Sequence, residues 1–326
     1  MTHLTRRRLV AGLVIGGPWL LGRDVLAQSA RLFKIGALTE SWGPTPSVVG
    51  LRDGLQELGY REDKDFTIGV RFTEGKVADL PAAARDLVRH RVDVIVTTES
   101  GPGAKAAQMA TSQIPIVIIG SGDPVGLGLV RSLARPGGNI TGVVDLDMQL
   151  VPKRMEIFRE LVPGLKRVLI PYDETNPDAV AQLAVHRAAA QRLDLTLVEK
   201  PVRSEEEARA TITGFRKGDA DGMFSLRFLS SNIPGLILDL APRVPTMFTS
   251  AFFVERGGLV SYAANLYELG KQAARLVDRV LKGTPPADLP IEQSTKFELV
   301  INLKTASSLG FTIPPSLLLR ADRLVQ

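Results

Sequence analysis

The chain has 326 residues, 44% hydrophobic and 23% charged, a size that suits two globular domains better than one core. It contains no cysteine, which excludes disulfides, thiolate metal sites, a cysteine nucleophile and a lipid-modified cysteine anchor. Its formal charge of +5 falls to +2 without residues 1–27, and the remaining basic residues alternate with acids, so no electrostatic footprint for nucleic acid is left.

The first 27 residues read as a cleavable export signal. Arg6, Arg7 and Arg8 form a charged start, Leu9–Leu21 an apolar stretch, and Val25-Leu26-Ala27 a cleavage site. The apolar run is too short for a spanning helix, which needs about 20 residues. The paired arginines resemble a twin-arginine signal, with an ordinary Sec signal carrying a basic start as the alternative. The expectation is a periplasmic protein with no lipid anchor.

From residue 31 onward, short β-rich runs alternate with amphipathic helices. Leu32–Leu38 is expected as a strand, Thr45–Leu58 as a helix, Phe66–Phe72 as a strand and Leu80–His90 as a helix. Val92–Thr98 and Ile114–Ile119 are almost wholly apolar, as strands buried on both faces of a parallel sheet are. The series then restarts. Arg167–Tyr172, Leu195–Lys200, Gly222–Leu226 and Val244–Phe248 read as strands, with helices at Asp178–Leu193 and Ser204–Arg216. The halves align at a near-constant offset, Asp65 opposite Asp194 and Asp93 opposite Asp221. This predicts an α/β protein of two doubly wound parallel-sheet lobes. The tail adds a helix at Tyr267–Leu281, a linker at Thr284-Pro285-Pro286, a strand at Phe297–Leu303 and a short helix at Leu303–Leu309. If helix and strand complete one lobe each, the chain crosses between lobes three times.

In open parallel sheets a ligand sits beyond the carboxyl ends of the strands. The loops there supply the candidate binding residues. They are Thr39, Glu40, Ser41 and Trp42 after the first strand, Thr98, Glu99 and Ser100 after the third, and Asp123 after the fourth. In the second half they are Tyr172, Asn176, Ser225, Arg227 and Phe248. Trp42 and Tyr172 are expected to flank an apolar or aromatic ligand, and Ser100 to cap the next helix, whose N–H groups suit a carboxylate. Asp145 and Asp147 read as a solvated connector at the lobe junction.

Catalytic constellations are missing from the sequence. His3, His90 and His186 share no metal spacing, and no G-x-S-x-G elbow occurs. No cofactor is expected. A rival motif is Gly101-x-Gly103-x-x-Ala106 between strand and helix, with Asp123 following the next strand, which imitates a dinucleotide fingerprint out of its usual position. It supports the alternative of an exported nucleotide-cofactor oxidoreductase. A third reading is a sensory binding protein that docks a receptor.

Several segments together resemble the ABC-transporter substrate-binding family that includes tryptophan- and tyrosine-binding proteins. They are Gly50–Tyr60, Gly122–Val130, Arg135–Val143, Gly257–Tyr262, Phe297–Ala306 and Leu309–Ser316. The resemblance implies a type I periplasmic-binding fold with a three-crossing hinge. Lobe 1 would be 31–145 plus 260–283, and lobe 2 146–259 plus 284–326. It also implies no catalysis, a small polar and aromatic or amino-acid-like ligand, an ABC permease as partner, and a monomer. One departure stands out: many members carry Gly-Thr-Pro-Ala-Ala where this chain has Glu99–Gly103, and a carboxylate at Glu99 would repel that of an amino acid unless it turns away.

Overall fold

The computed structural model describes residues 31–43, 45–98, 101–120, 122–174, 177–216, 218–226 and 243–326. The expected signal, 1–27, lies outside the described residues. No helix among the described residues is long and apolar enough to cross a membrane.

Two sheets form. The first contains β1 (Phe33–Thr39), β2 (Phe66–Phe72), β3 (Val94–Thr98), β4 (Ile116–Ile119), β5 (Ile140–Val144) and β11 (Glu292–Gln293), in the order β11-β5-β4-β3-β1-β2. All its pairings are parallel. The second contains β6 (Arg167–Asp173), β7 (Thr196–Val202), β8 (Gly222–Phe224), β9 (Thr246–Phe248), β10 (Val260–Ala264), β12 (Phe297–Asn302) and β13 (Arg323–Val325). Its order is β13-β12-β10-β9-β8-β6-β7, parallel except where β12 runs against β10. Each sheet thus repeats the order 2-1-3-4-5 in its own strands, with a switch point beside its first strand.

The repeat extends to side chains. Asp93 Oδ2 accepts from the Lys34 N–H at 2.7 Å, and Asp221 Oδ2 accepts from the N–H groups of Lys166 and Arg167 at 2.9 and 2.8 Å. Each carboxylate ties the start of a third strand to that of the first. The aligned pair Asp93 and Asp221 is therefore a structural correspondence.

Strand pairing moves the expected lobe boundaries in the tail. Residues 260–264, expected in lobe 1, form β10 of the second sheet, because Val260 and Ser261 pair with Met247 and Phe248. Residues 292–293, expected in lobe 2, add to the first sheet against Val143 and Val144. The segment returning to the first lobe thus runs from the helix Leu266–Leu281 through β11. The sequence reading also missed β5 and the helix Val151–Leu161, where Pro152 stands at the helix start, a position that tolerates its missing N–H.

In the first lobe the helices Pro46–Glu57 and Leu266–Leu281 cover one sheet face, burying Leu51, Leu55, Leu269, Ala273 and Val277 against Ile35, Val94, Val96 and Val117. Two glycines let the helices touch. A Cβ at Gly50 would lie 1.9 Å from the Tyr267 carbonyl oxygen, and one at Gly270 2.0 Å from that of Ser47. The second lobe buries Phe158, Phe224, Met247 and Ile301 on one face and Leu169, Met223 and Phe248 on the other.

His186, 1% exposed, sits in the second lobe with its ring edge-on to Phe224 at 4.9 Å. Its Nδ1 lies 2.8 Å from the Gln182 carbonyl oxygen, so Nδ1 carries the proton; Nε2 has no partner among the described residues. Burial pushes the imidazole below its ordinary pKa. The Gln182 bond and Asp147 oppose this, and Arg154 adds to it. A folded-state pKa below the unfolded one means that the unfolded chain binds more protons as the medium acidifies. The stability tied to neutral His186 is then complete above about pH 6.5 and declines as pH falls below it. Thermal unfolding from pH 8 to pH 5 should show this acid limb in the natural chain and a shallower one in His186→Leu. Identical slopes would assign the limb to other groups.

Candidate functional site

The chain passes between the sheets three times, each time from the carboxyl end of a strand. The crossings follow β5 at 145–150, β10 at Asn265 and β11 at 294–296.

In the first lobe, the loop after β1 is braced by its own hydroxyls. Thr39 Oγ1 accepts from the Ser41 N–H at 3.2 Å and donates to Ser41 Oγ at 3.1 Å, and Ser41 Oγ donates to the Gly43 carbonyl at 2.6 Å. The brace leaves Trp42 61% exposed while Thr39 and Glu40 are buried. Thr45 then caps the helix Pro46–Glu57 by accepting from the Val48 N–H, so the positive end of the helix dipole opens beside this loop. At the end of β3, Thr98 is buried and its hydroxyl has no partner among the described residues.

In the second lobe, Tyr172 is half-buried near the end of β6 and packs on the core. Ser225, just past β8, is fully buried, and its hydroxyl likewise has no partner among the described residues. Thr249 and Ser250 follow β9, and Ser250 caps the turn Ala251–Val254. Buried hydroxyls without partners favour a ligand or water that completes them.

Two expected site residues have other work. Phe248 is fully buried in the core, stacked on Phe253 with ring centres 5.0 Å apart. Asp123 is exposed and turns back on its own loop, its Oδ1 accepting from the N–H groups of Val125 and Gly126. That engagement also weakens the dinucleotide motif, whose acidic residue Asp123 would be. Glu99, Ser100, Asn176 and Arg227 lie outside the described residues.

The reading of Asp145 and Asp147 as a solvated connector is corrected. They are 1% and 6% exposed, and Arg154, 1% exposed, lies beside them with Nη2 2.6 Å from Asp147 Oδ1. Sequence reasoning missed Arg154, yet a signal existed: it falls on the apolar stripe Val151, Met155, Phe158 of its helix, where a charge must find a partner.

A family model described as ABC transporter substrate binding protein matches residues 39–325. A tyrosine-binding protein of Clostridioides difficile (strain R20291) is 26% identical over 264 residues, covering 80% of this chain and 75% of the relative. Among solved structures, a conserved domain protein from Vibrio cholerae is 30% identical with a TM-score of 0.82, over 90% of this chain and 99% of that one. An ABC domain from Streptococcus pneumoniae, solved in complex with L-Trp, is 29% identical with a TM-score of 0.80, over 90% of this chain and 100% of that one.

Proposed function

The chain belongs to the ABC transporter substrate binding protein family, whose members bind solutes rather than catalyse reactions, and from that premise we propose that it is the periplasmic component of an ABC importer that closes two lobes on a small aromatic amino acid or a close analogue. What supports this most directly is that all three crossings leave the carboxyl end of a strand, the sheet edge that also carries the unpartnered hydroxyls of Thr98 and Ser225. The ligand class draws on the relatives, one solved with L-Trp and one named for tyrosine. Ligand contacts to both lobes favour the closed state of an open–closed equilibrium. Residues 1–27 act as its cleavable signal, with Arg6 and Arg7 directing a twin-arginine route. The mature protein works as a monomer, hands its solute to a membrane permease and takes no nucleic acid. The oxidoreductase alternative falls with the family, a family of substrate-binding proteins.

A thermal-shift series with L-tryptophan, L-tyrosine, indole and phenylpropionate tests the reading, since a ligand at 100 times its Kd adds about 2.7 kcal/mol of stability. L-Tryptophan or L-tyrosine should give the largest shift. Calorimetry then reads the clamp. Trp42→Ala and Tyr172→Ala should each weaken binding about two- to tenfold, the range for losing an aromatic contact. Exposed Trp42 should leave the apo melting temperature unchanged. Loss of affinity from first-lobe substitutions alone would contradict a two-lobe clamp.

A further inference from the structure

The three crossings are not held alike. Arg154, in the first turn and a half of the helix Val151–Leu161, reaches back to the first of them and to the strand that runs into the second. Its Nε donates to the Tyr262 carbonyl oxygen at 2.6 Å, close before the second crossing. Its Nη1 donates to the Asp147 carbonyl oxygen at 3.1 Å, and Nη2 stands 2.6 Å from Asp147 Oδ1, both on the first crossing. A planar guanidinium holds such partners at a fixed spacing, whereas a flexible ammonium lets them slide past one another.

The first crossing is also set in itself. Asp145 Oδ1 accepts from the Asp147 N–H at 3.2 Å, and Leu146 between them has φ +59°, the left-handed region that non-glycine residues rarely enter. Such a conformation persists only where its surroundings over-determine it. The third crossing is tied by backbone bonds, Ser294 N–H to the Val144 carbonyl at 2.8 Å and Asn265 N–H to the Lys296 carbonyl at 3.0 Å, and within itself by Ser294 Oγ, which donates to the Lys296 carbonyl at 3.1 Å; no guanidinium among the described residues bonds to it. It borders a groove of about 330 Å³ lined by Ser294, Thr295 and Lys296 with Glu268 and Gln272, which leaves it space to move.

We propose that Arg154 is a positioning residue of the hinge: it pins the first crossing to the second, so that the lobes rotate about a fixed axis and the third crossing absorbs the motion. Arg154 thereby sets the affinity for a solute that it does not touch. This rests on the two-lobe closure reading. A pinned hinge samples few interlobe angles. An unpinned one samples many, and the apparent Kd rises as the closing-competent fraction falls.

The chain has no cysteine, so Met109→Cys in the first lobe and Leu319→Cys in the second, 79% and 88% exposed, give two spin-label sites without background. Electron–electron distance measurement on the labelled protein without ligand should give a narrow distribution for Arg154 and a clearly broader one for Arg154→Lys. The lysine keeps the charge beside Asp147 but cannot reach all three partners. Affinity for L-tryptophan should fall about fivefold, the lower range of coupling between distant sites. Asp147→Asn, read on the same labels, should broaden the distribution as well and serves if the lysine variant does not fold. Equal widths in the natural chain and in a folded variant overturn the pin. A natural chain whose distance does not shorten with any solute contradicts the closure reading instead, while the ligand-free widths still decide the role of Arg154.

Discussion

Gly50→Ala is expected to destabilise the protein by about 3 kcal/mol, the upper end of the usual overpacking penalty, because its new methyl would meet a backbone oxygen and not a side chain that can turn away. The Cβ would lie 1.9 Å from the Tyr267 carbonyl oxygen, 2.8 Å from the carbonyl carbon and 3.1 Å from Cα. Relief requires the helices Pro46–Glu57 and Leu266–Leu281 to separate. Their contact carries Leu51, Leu55, Leu269, Ala273 and Ala274 of the first-lobe core. It also carries the Lys271–Glu57 pair at 2.6 Å and the Tyr60–Asp278 hydrogen bond at 2.8 Å. Gly270→Ala meets the Ser47 carbonyl oxygen at 2.0 Å from the other side and should cost a similar amount. The expected fall in melting temperature is roughly 6–12 °C, at about 2–4 °C per kcal/mol for a domain of 150–250 residues. Gly69→Ala, in a strand with nothing within 4 Å of the added methyl, is the control and should be near neutral. If Gly50→Ala melts with that control, the close helix contact is not what the glycine is there for.

What could be read in advance followed local rules. Phe66–Phe72 is a strand over the predicted range, and Thr45 and Ser204 cap the helices they were expected to open. Apolar runs and caps are decided by neighbours in the chain. Sheet membership in the tail was not legible, because β10 takes its antiparallel partner β12 across an intervening helix and the linker to β11. Nor was β5, a short strand followed by a crossing rather than a polar turn. The candidate site divides the same way. Reading βα loops found the buried hydroxyls of Thr98 and Ser225, since position after a strand follows from strand order. It misjudged Phe248, because the end of a strand does not say which face a ring takes, and alternation sends this one onto Phe253. It also misjudged Asp145 and Asp147. Carboxylates between two elements look solvated until the partner is known, and here that partner is an arginine on an apolar helix stripe.

That buried pair gives the second large effect. Arg154→Met removes the cation that stands 2.6 Å from Asp147 Oδ1, and breaking a buried pair from one side costs about 3–5 kcal/mol. Two separate losses are combined in that figure. One is the loss of the Arg154 cation beside the charge on Asp147, 6% exposed. The other is the loss of donors to the carbonyl oxygens of Tyr262 and Asp147, which methionine cannot replace. Asp147→Asn, added to Arg154→Met, abolishes the first and leaves the second. The double variant should therefore be more stable than Arg154→Met alone by about 1–3 kcal/mol, the penalty of a buried group left unsatisfied, which the cycle reads as non-additivity. Urea unfolding of the natural chain, both singles and the double at pH 7 gives the cycle. Simple additivity would mean that Asp147 answers to groups other than Arg154, and that the carbonyl bonds alone fix the guanidinium. A double variant as stable as the natural chain would mean the reverse: the pair then contributes no net stability, and its retention points to the geometry it imposes on the crossings.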